Sequence, residues 1–66
     1  MQITLNGKPH NLEKPINILE LSVVLRLEPT QVAIERNREI IPRSLYNDVF
    51  LNEGDEVEIV SFIGGG

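Results

Sequence analysis

The sequence predicts an α+β domain of two layers, a mixed sheet with one main helix packed across one face. Three observations carry this expectation. A hairpin pattern opens the chain, a single well-capped helix follows it, and an apolar-alternating strand closes it. In such an arrangement the first and last strands lie side by side in the middle of the sheet. At 66 residues the chain is long enough for one domain and one thin core, placed at 1–63, with a glycine tail at 64–66.

Met1 to Leu5 alternates with period two, Ile3 and Leu5 on one face and Gln2 and Thr4 on the other. Asn6-Gly7 is a two-residue hairpin signal, because both central positions of a type I′ turn need positive φ. Lys8 to Leu12 returns as the partner strand, and Pro9, with no amide hydrogen, is expected to face away from a neighbour or to sit on an edge. After Glu13-Lys14-Pro15 the helix begins. Asn17 is the N-cap, Glu20 completes a capping box, and Ile16 and Leu21 form a hydrophobic staple.

Ile18, Leu21 and Leu25 recur at helical spacing and are expected to face the sheet, although Leu19, Val23 and Val24 are apolar too. Pro29 is expected to end the helix. Gln31 to Arg36 reads as a strand with Val32 and Ile34 inward, Asn37-Arg38 as a tight turn, and Glu39 to Ile41 as a short strand stopped by Pro42. A short helical turn is placed near Ser44 to Asn47, and a turn around Gly54 at Asn52 to Asp55. Glu56 to Phe62 is the last strand, with Val57 and Ile59 inward and Glu56, Glu58, Val60 and Phe62 outward.

Composition excludes several function classes. With no cysteine there is no disulfide, thiolate metal site or cysteine nucleophile. The acids Asp48, Glu53, Asp55 and Glu56 do not follow calcium-loop spacing, and no metal site is expected. No nucleophile, base and orienting group occur together, so a stand-alone enzyme is not expected. The net charge of −4 is unevenly spread: all six basic residues lie at or before Arg43, while five acids follow Ser44. A nucleic-acid partner needs a basic footprint and is not expected; a protein with a positive patch is. No stretch approaches the roughly 20 apolar residues that span a bilayer, and the first residues lack a secretory pattern. The expectation is a soluble, cytoplasmic protein without a membrane partner, or one of the plastid stroma if it is organellar.

Gly64-Gly65-Gly66 is the most informative stretch. Three consecutive glycines at a given place arise by chance about 3 times in 10,000, so composition alone does not explain the run. Without Cβ atoms, such a run can extend through a narrow channel while the folded domain stays outside. The α-carboxylate of Gly66 is the one group there with chemistry to offer. Attack on the α-phosphate of ATP, with Mg²⁺ neutralising charge, would give an acyl-adenylate from which a sulfur nucleophile displaces AMP. The tail carries no acid or base, so both steps need a partner enzyme. Val60, Phe62 and Ile63, with Glu58 beside them, are the expected docking residues, because outward apolar and aromatic side chains mark contact surfaces.

Taken together, the run from Val32 to Asn37, then Glu39 to Arg43, then Glu53 to Val60, and the ending Phe62-Ile63-Gly64-Gly65-Gly66 resemble the ThiS family over nearly the whole chain. These are the sulfur carriers of thiazole formation in thiamin biosynthesis. The resemblance implies a ubiquitin-like β-grasp fold. It implies adenylation of Gly66 by a ThiF-type enzyme using ATP and Mg²⁺, with no cofactor bound by the carrier itself. It also implies conversion to a thiocarboxylate by a cysteine-desulfurase system and sulfur delivery to thiazole synthase. Gly64 and Gly65 would thread the partner sites. Many members end in two glycines where this chain has three, and the reacting group implied is the terminal carboxylate in either case. A carrier for molybdopterin or tRNA thiolation, or a ubiquitin-like protein modifier, shares the same fold and ending.

Overall fold

Asn6 and Gly7 take φ values of 48° and 81°, the left-handed pair that a tight hairpin requires. They join β1 (Gln2–Leu5) to β2 (Lys8–Asn11) in an antiparallel pair with Thr4 opposite Pro9. The computed structural model describes residues 1–62. β2 is the outer strand, where Pro9 interrupts no ladder. The sheet continues with β3 (Val32–Arg36), β4 (Glu39–Ile40) and β5 (Glu56–Ser61) in the order β2-β1-β5-β3-β4. β5 pairs parallel to β1 and antiparallel to β3, so the first and last strands are neighbours at the centre. Asn37 and Arg38, at φ 51° and 71°, turn β3 into β4.

The one α-helix, α1 (Ile18–Val24), is capped as its sequence dictates. The Asn17 side chain accepts the Glu20 amide at 2.7 Å, and the Glu20 carboxylate accepts the Asn17 amide at 3.0 Å. Ile16 and Leu21, the two staple positions, are both in the core. The helix is shorter than Pro29 alone implies. Arg26 adopts φ 59°, its amide donates to the Val23 carbonyl, and the Leu27 amide donates to that of Ser22. This is a Schellman closure, which satisfies the last carbonyls four residues before the expected stop, with an arginine where glycine is usual. Pro29 instead opens a 3₁₀ turn, Pro29–Gln31, which takes Gln31 out of the following strand. A second 3₁₀ turn, Arg43–Leu45, begins directly after Pro42, one residue before the expected helical turn.

The core lies between α1 and one face of the sheet. Ile3, Val32, Ile34 and Val57 come from the strands, Ile18 and Leu21 from the helix, and Leu12, Ile16, Ile41, Tyr46 and Leu51 from the connections. Ile59 packs against it, half-buried. The segment from Tyr46 to Leu51 is stitched to the helix start by bonds from Leu19 to Tyr46, Ile18 to Val49 and Leu51 to Ile16. This is why it lacks a sequence period. It folds as an irregular cover whose backbone is satisfied by the helix N-terminus and the connection before it. Among the described residues no helix is long and apolar enough to cross a membrane.

Candidate functional site

The site is built around the end of β5. Alternation puts Val57 inward, 1% exposed, and turns Glu58, Val60 and then Phe62 to the opposite face. Val60 is 58% exposed and Phe62 62%, so neither belongs to a second core under the sheet. Ile63, Gly64, Gly65 and Gly66 lie outside the described residues. The strand itself ends at Ser61, one residue earlier than its sequence pattern implies. Past that point the Phe62 amide donates to the Gln31 carbonyl at 2.9 Å, the last backbone bond before the terminal four residues.

Two contacts fix the direction of β5. On one side it runs along β3, with Ile59 opposite Ile34, Val60 opposite Ala33 and Ser61 opposite Val32. On the other, β1 stops at Leu5, and the Ile59 amide would face the hairpin turn. The Asn6 side chain fills that role, its Oδ1 accepting the Ile59 amide at 2.7 Å. At the other end of β5, the buried Asp55 anchors the preceding turn. Its carboxylate accepts the Asn52 amide at 2.8 Å and the Asn37 side-chain amide at 3.1 Å, and lies 3.8 Å from the Arg36 guanidinium. Arg36 also donates to the Phe50 carbonyl at 3.0 Å. The polar groups beneath the sheet end thus hold β5 in place.

Register adds residues to the outward face that the chain's periodicity did not single out. Ala33 lies opposite Val60, Glu35 opposite Glu58, and Ile40 opposite Glu35. Ile40 is 67% exposed. The inward positions of Val32 and Ile34 already imply that Ala33 and Glu35 face outward. Which residue of β5 or β4 each meets is set by strand pairing, which a period does not encode. The result is a strip from Ile40 through Glu35 and Glu58 to Val60 and Phe62, apolar at both ends and anionic in the middle. Among the described residues no cluster of three or more histidines or carboxylates is placed to hold a metal ion.

The ThiS family model matches residues 3–66. The chain is 42% identical over 65 residues to the sulfur carrier protein ThiS of Bacillus subtilis, covering 97% of this chain and 98% of that protein. It is 46% identical over its full length to the thiazole synthase of Magnetococcus marinus, where it covers 20% of that protein; the chain thus spans about one fifth of this longer relative. The crystal structure of the thiamine biosynthesis protein ThiS from Geobacter metallireducens superposes with a TM-score of 0.87 at 33% identity, covering all of both chains. A five-stranded mixed sheet grasping one helix, matched in shape and in sequence over its whole length, places the protein: it has the ubiquitin-like β-grasp fold and belongs to the ThiS family of sulfur carriers of thiamine biosynthesis.

Proposed function

We propose that this chain carries sulfur on its own C-terminus. The Gly66 carboxylate attacks the α-phosphate of ATP in a ThiF-type adenylating enzyme, with Mg²⁺ bound there, and pyrophosphate leaves. The terminal sulfur of a persulfide charged by a cysteine desulfurase displaces AMP to give an acyl disulfide, and a thiol of the sulfur-donating system cleaves its S–S bond, leaving the thiocarboxylate and an enzyme disulfide. Thiazole synthase takes that sulfur into the thiazole ring, in the cytoplasm or in a plastid stroma. The chain itself is a co-substrate and not a catalyst. Gly64 and Gly65 thread the partner sites, and Glu58, Val60, Phe62 and Ile63 dock.

The observation that carries this reading is the end-to-end match to a sulfur carrier of nearly equal length. Two further observations support it. A thiazole synthase contains a segment like this chain, which fits a carrier that works on that enzyme. The exposed Val60 and Phe62 lie within four residues of the first glycine in sequence, so that a partner gripping the strand end is positioned to receive the tail. Intact-mass analysis after incubation with the adenylating enzyme, ATP and a sulfur source is expected to show one oxygen exchanged for sulfur at Gly66. An unmodified mass under conditions that convert the Bacillus subtilis carrier would overturn the proposal.

A further inference from the structure

The Phe62 amide is held by a carbonyl that lies outside the strands. β1 reaches β5 no further than the Asn6 bond to Ile59. From there β5 runs along β3 until Ser61 stands opposite Val32. The next bond, from the Phe62 amide to the Gln31 carbonyl, goes instead to the 3₁₀ turn Pro29–Gln31. The position of Phe62 therefore depends on what holds that turn. The Gln31 amide closes it onto the Glu28 carbonyl at 2.9 Å. The Glu28 carboxylate caps it, accepting the Thr30 amide at 3.4 Å and the Thr30 hydroxyl at 3.1 Å. From beyond the β3–β4 hairpin, Arg43 Nε donates to the Pro29 carbonyl at 3.2 Å. Arg43 is itself seated, because the amide of the buried Tyr46 donates to its carbonyl at 3.1 Å. Pro29 contributes a φ fixed by its ring.

We infer that Glu28 and Arg43 are positioning residues for the modification of Gly66. They clamp the Pro29–Gln31 turn, and the turn sets the point from which the tail is presented to the adenylating enzyme. The inference rests on the carrier reading. Four residues follow Phe62, and a fully extended chain of that length reaches at most about 14 Å. So short a reach leaves little slack, and the origin of the tail must be fixed if the Gly66 carboxylate is to line up with the α-phosphate of ATP. Freeing Phe62 would shift that origin back toward Ser61. It would also add backbone conformers that are lost again when the tail enters the site. Misplacing a reacting group by about 1 Å can cost up to about 100-fold in rate. The clamp bonds lie at the surface, where a single substitution changes global stability little. Their effect is therefore confined to the strand end that they hold.

The test compares Arg43→Ala, Glu28→Ala and Glu28→Gln with the unaltered full chain. Three quantities are measured: the melting temperature, hydrogen exchange at the Phe62 amide, and adenylation by the ThiF-type enzyme of its own organism. Adenylation is followed as carrier-dependent exchange of labelled pyrophosphate into ATP. Both alanine variants are expected to melt within about 4 °C of the unaltered chain and to exchange the Phe62 amide about fivefold faster or more. Their kcat is expected to fall about fivefold, with KM for the carrier changed by no more than about twofold. Glu28→Gln keeps an oxygen that accepts from Thr30 and is expected to restore both exchange and kcat. If exchange at Phe62 does not change in the alanine variants, the turn does not hold the strand end and the inference falls. It falls equally if exchange quickens while kcat stays, or if kcat drops only in step with the melting temperature. A rise in KM alone also overturns it, since these side chains would then be contacts of the enzyme. In each of those cases the carrier reading stands. If the unaltered chain supports no pyrophosphate exchange, both fall.

Discussion

The side-chain oxygen of Asn6 accepts the amide of Ile59 across 53 residues of sequence, at 2.7 Å. The hairpin that opens the chain thereby holds the strand that closes it. β1 has already turned away at this level, so the Asn6 amide oxygen takes the place that the next backbone carbonyl of a longer strand would occupy. Asn6→Gly keeps the left-handed turn and removes the acceptor. It is expected to cost about 1 kcal/mol in urea unfolding and to speed hydrogen exchange at the Ile59 amide. Unchanged protection at Ile59 would show the bond to be dispensable.

The helix start makes a second, separable demand. Asn17 is buried and makes the capping bond to Glu20, and its side-chain nitrogen donates to the Asn47 carbonyl at 3.2 Å. Asn17→Ala is therefore expected to destabilise by about 1–2 kcal/mol, at the upper end of cap losses, and Glu20→Ala by less. A double-mutant cycle between the two positions should give a favourable coupling, because each side chain caps the other's backbone.

At the other helix end, Arg26 sits at φ 59° in a position suited to glycine. A left-handed residue with a Cβ costs about 1–2 kcal/mol, whereas glycine adds roughly 0.5–1 kcal/mol of backbone entropy to the unfolded chain. Arg26→Gly is expected to stabilise by the difference, up to about 1 kcal/mol, read as a higher urea midpoint with an unchanged slope.

Val57 and Val60 lie three residues apart on one strand and face opposite ways, 1% and 58% exposed. Val57→Ala removes packing from the centre of the core and is expected to cost about 2 kcal/mol or more. Val60→Ser and Phe62→Ser are expected to shift stability by no more than about 0.5 kcal/mol, while lowering the rate of Gly66 thiocarboxylate formation. Normal rates in both surface variants would remove these residues from the docking site.

The Tyr46 hydroxyl is held above its ordinary value of 10.0, chiefly because burial disfavours the phenolate; the nearby Arg43 guanidinium opposes this more weakly. A raised folded value means that the folded state keeps the proton longer. The corresponding stability is complete below the unfolded value near pH 10 and is lost as the pH climbs through the higher folded value. Alkaline melts should show that decline above pH 10, and Tyr46→Phe should flatten it.

Local chemistry in the chain determines a good deal of this molecule. Asn6-Gly7 and Asn37-Arg38 make their turns, Asn17 and Glu20 start the helix, and Val57 and Ile59 against Val60 and Phe62 divide the last strand into two faces. These are readable because each depends on backbone φ preference, a cap three residues away or a period of two, all within a few positions. The glycine run and its likeness to sulfur carriers are likewise matters of sequence alone. The helix end was not readable from Pro29, because a Schellman closure at Arg26 needs no proline and tolerates a poor left-handed residue when tertiary packing holds Leu27 against the core. Nor was the opposition of Glu35 and Glu58. Periodicity assigns a residue to a face, whereas the neighbour it meets there depends on the register of strands more than twenty residues apart, which only the packed sheet decides.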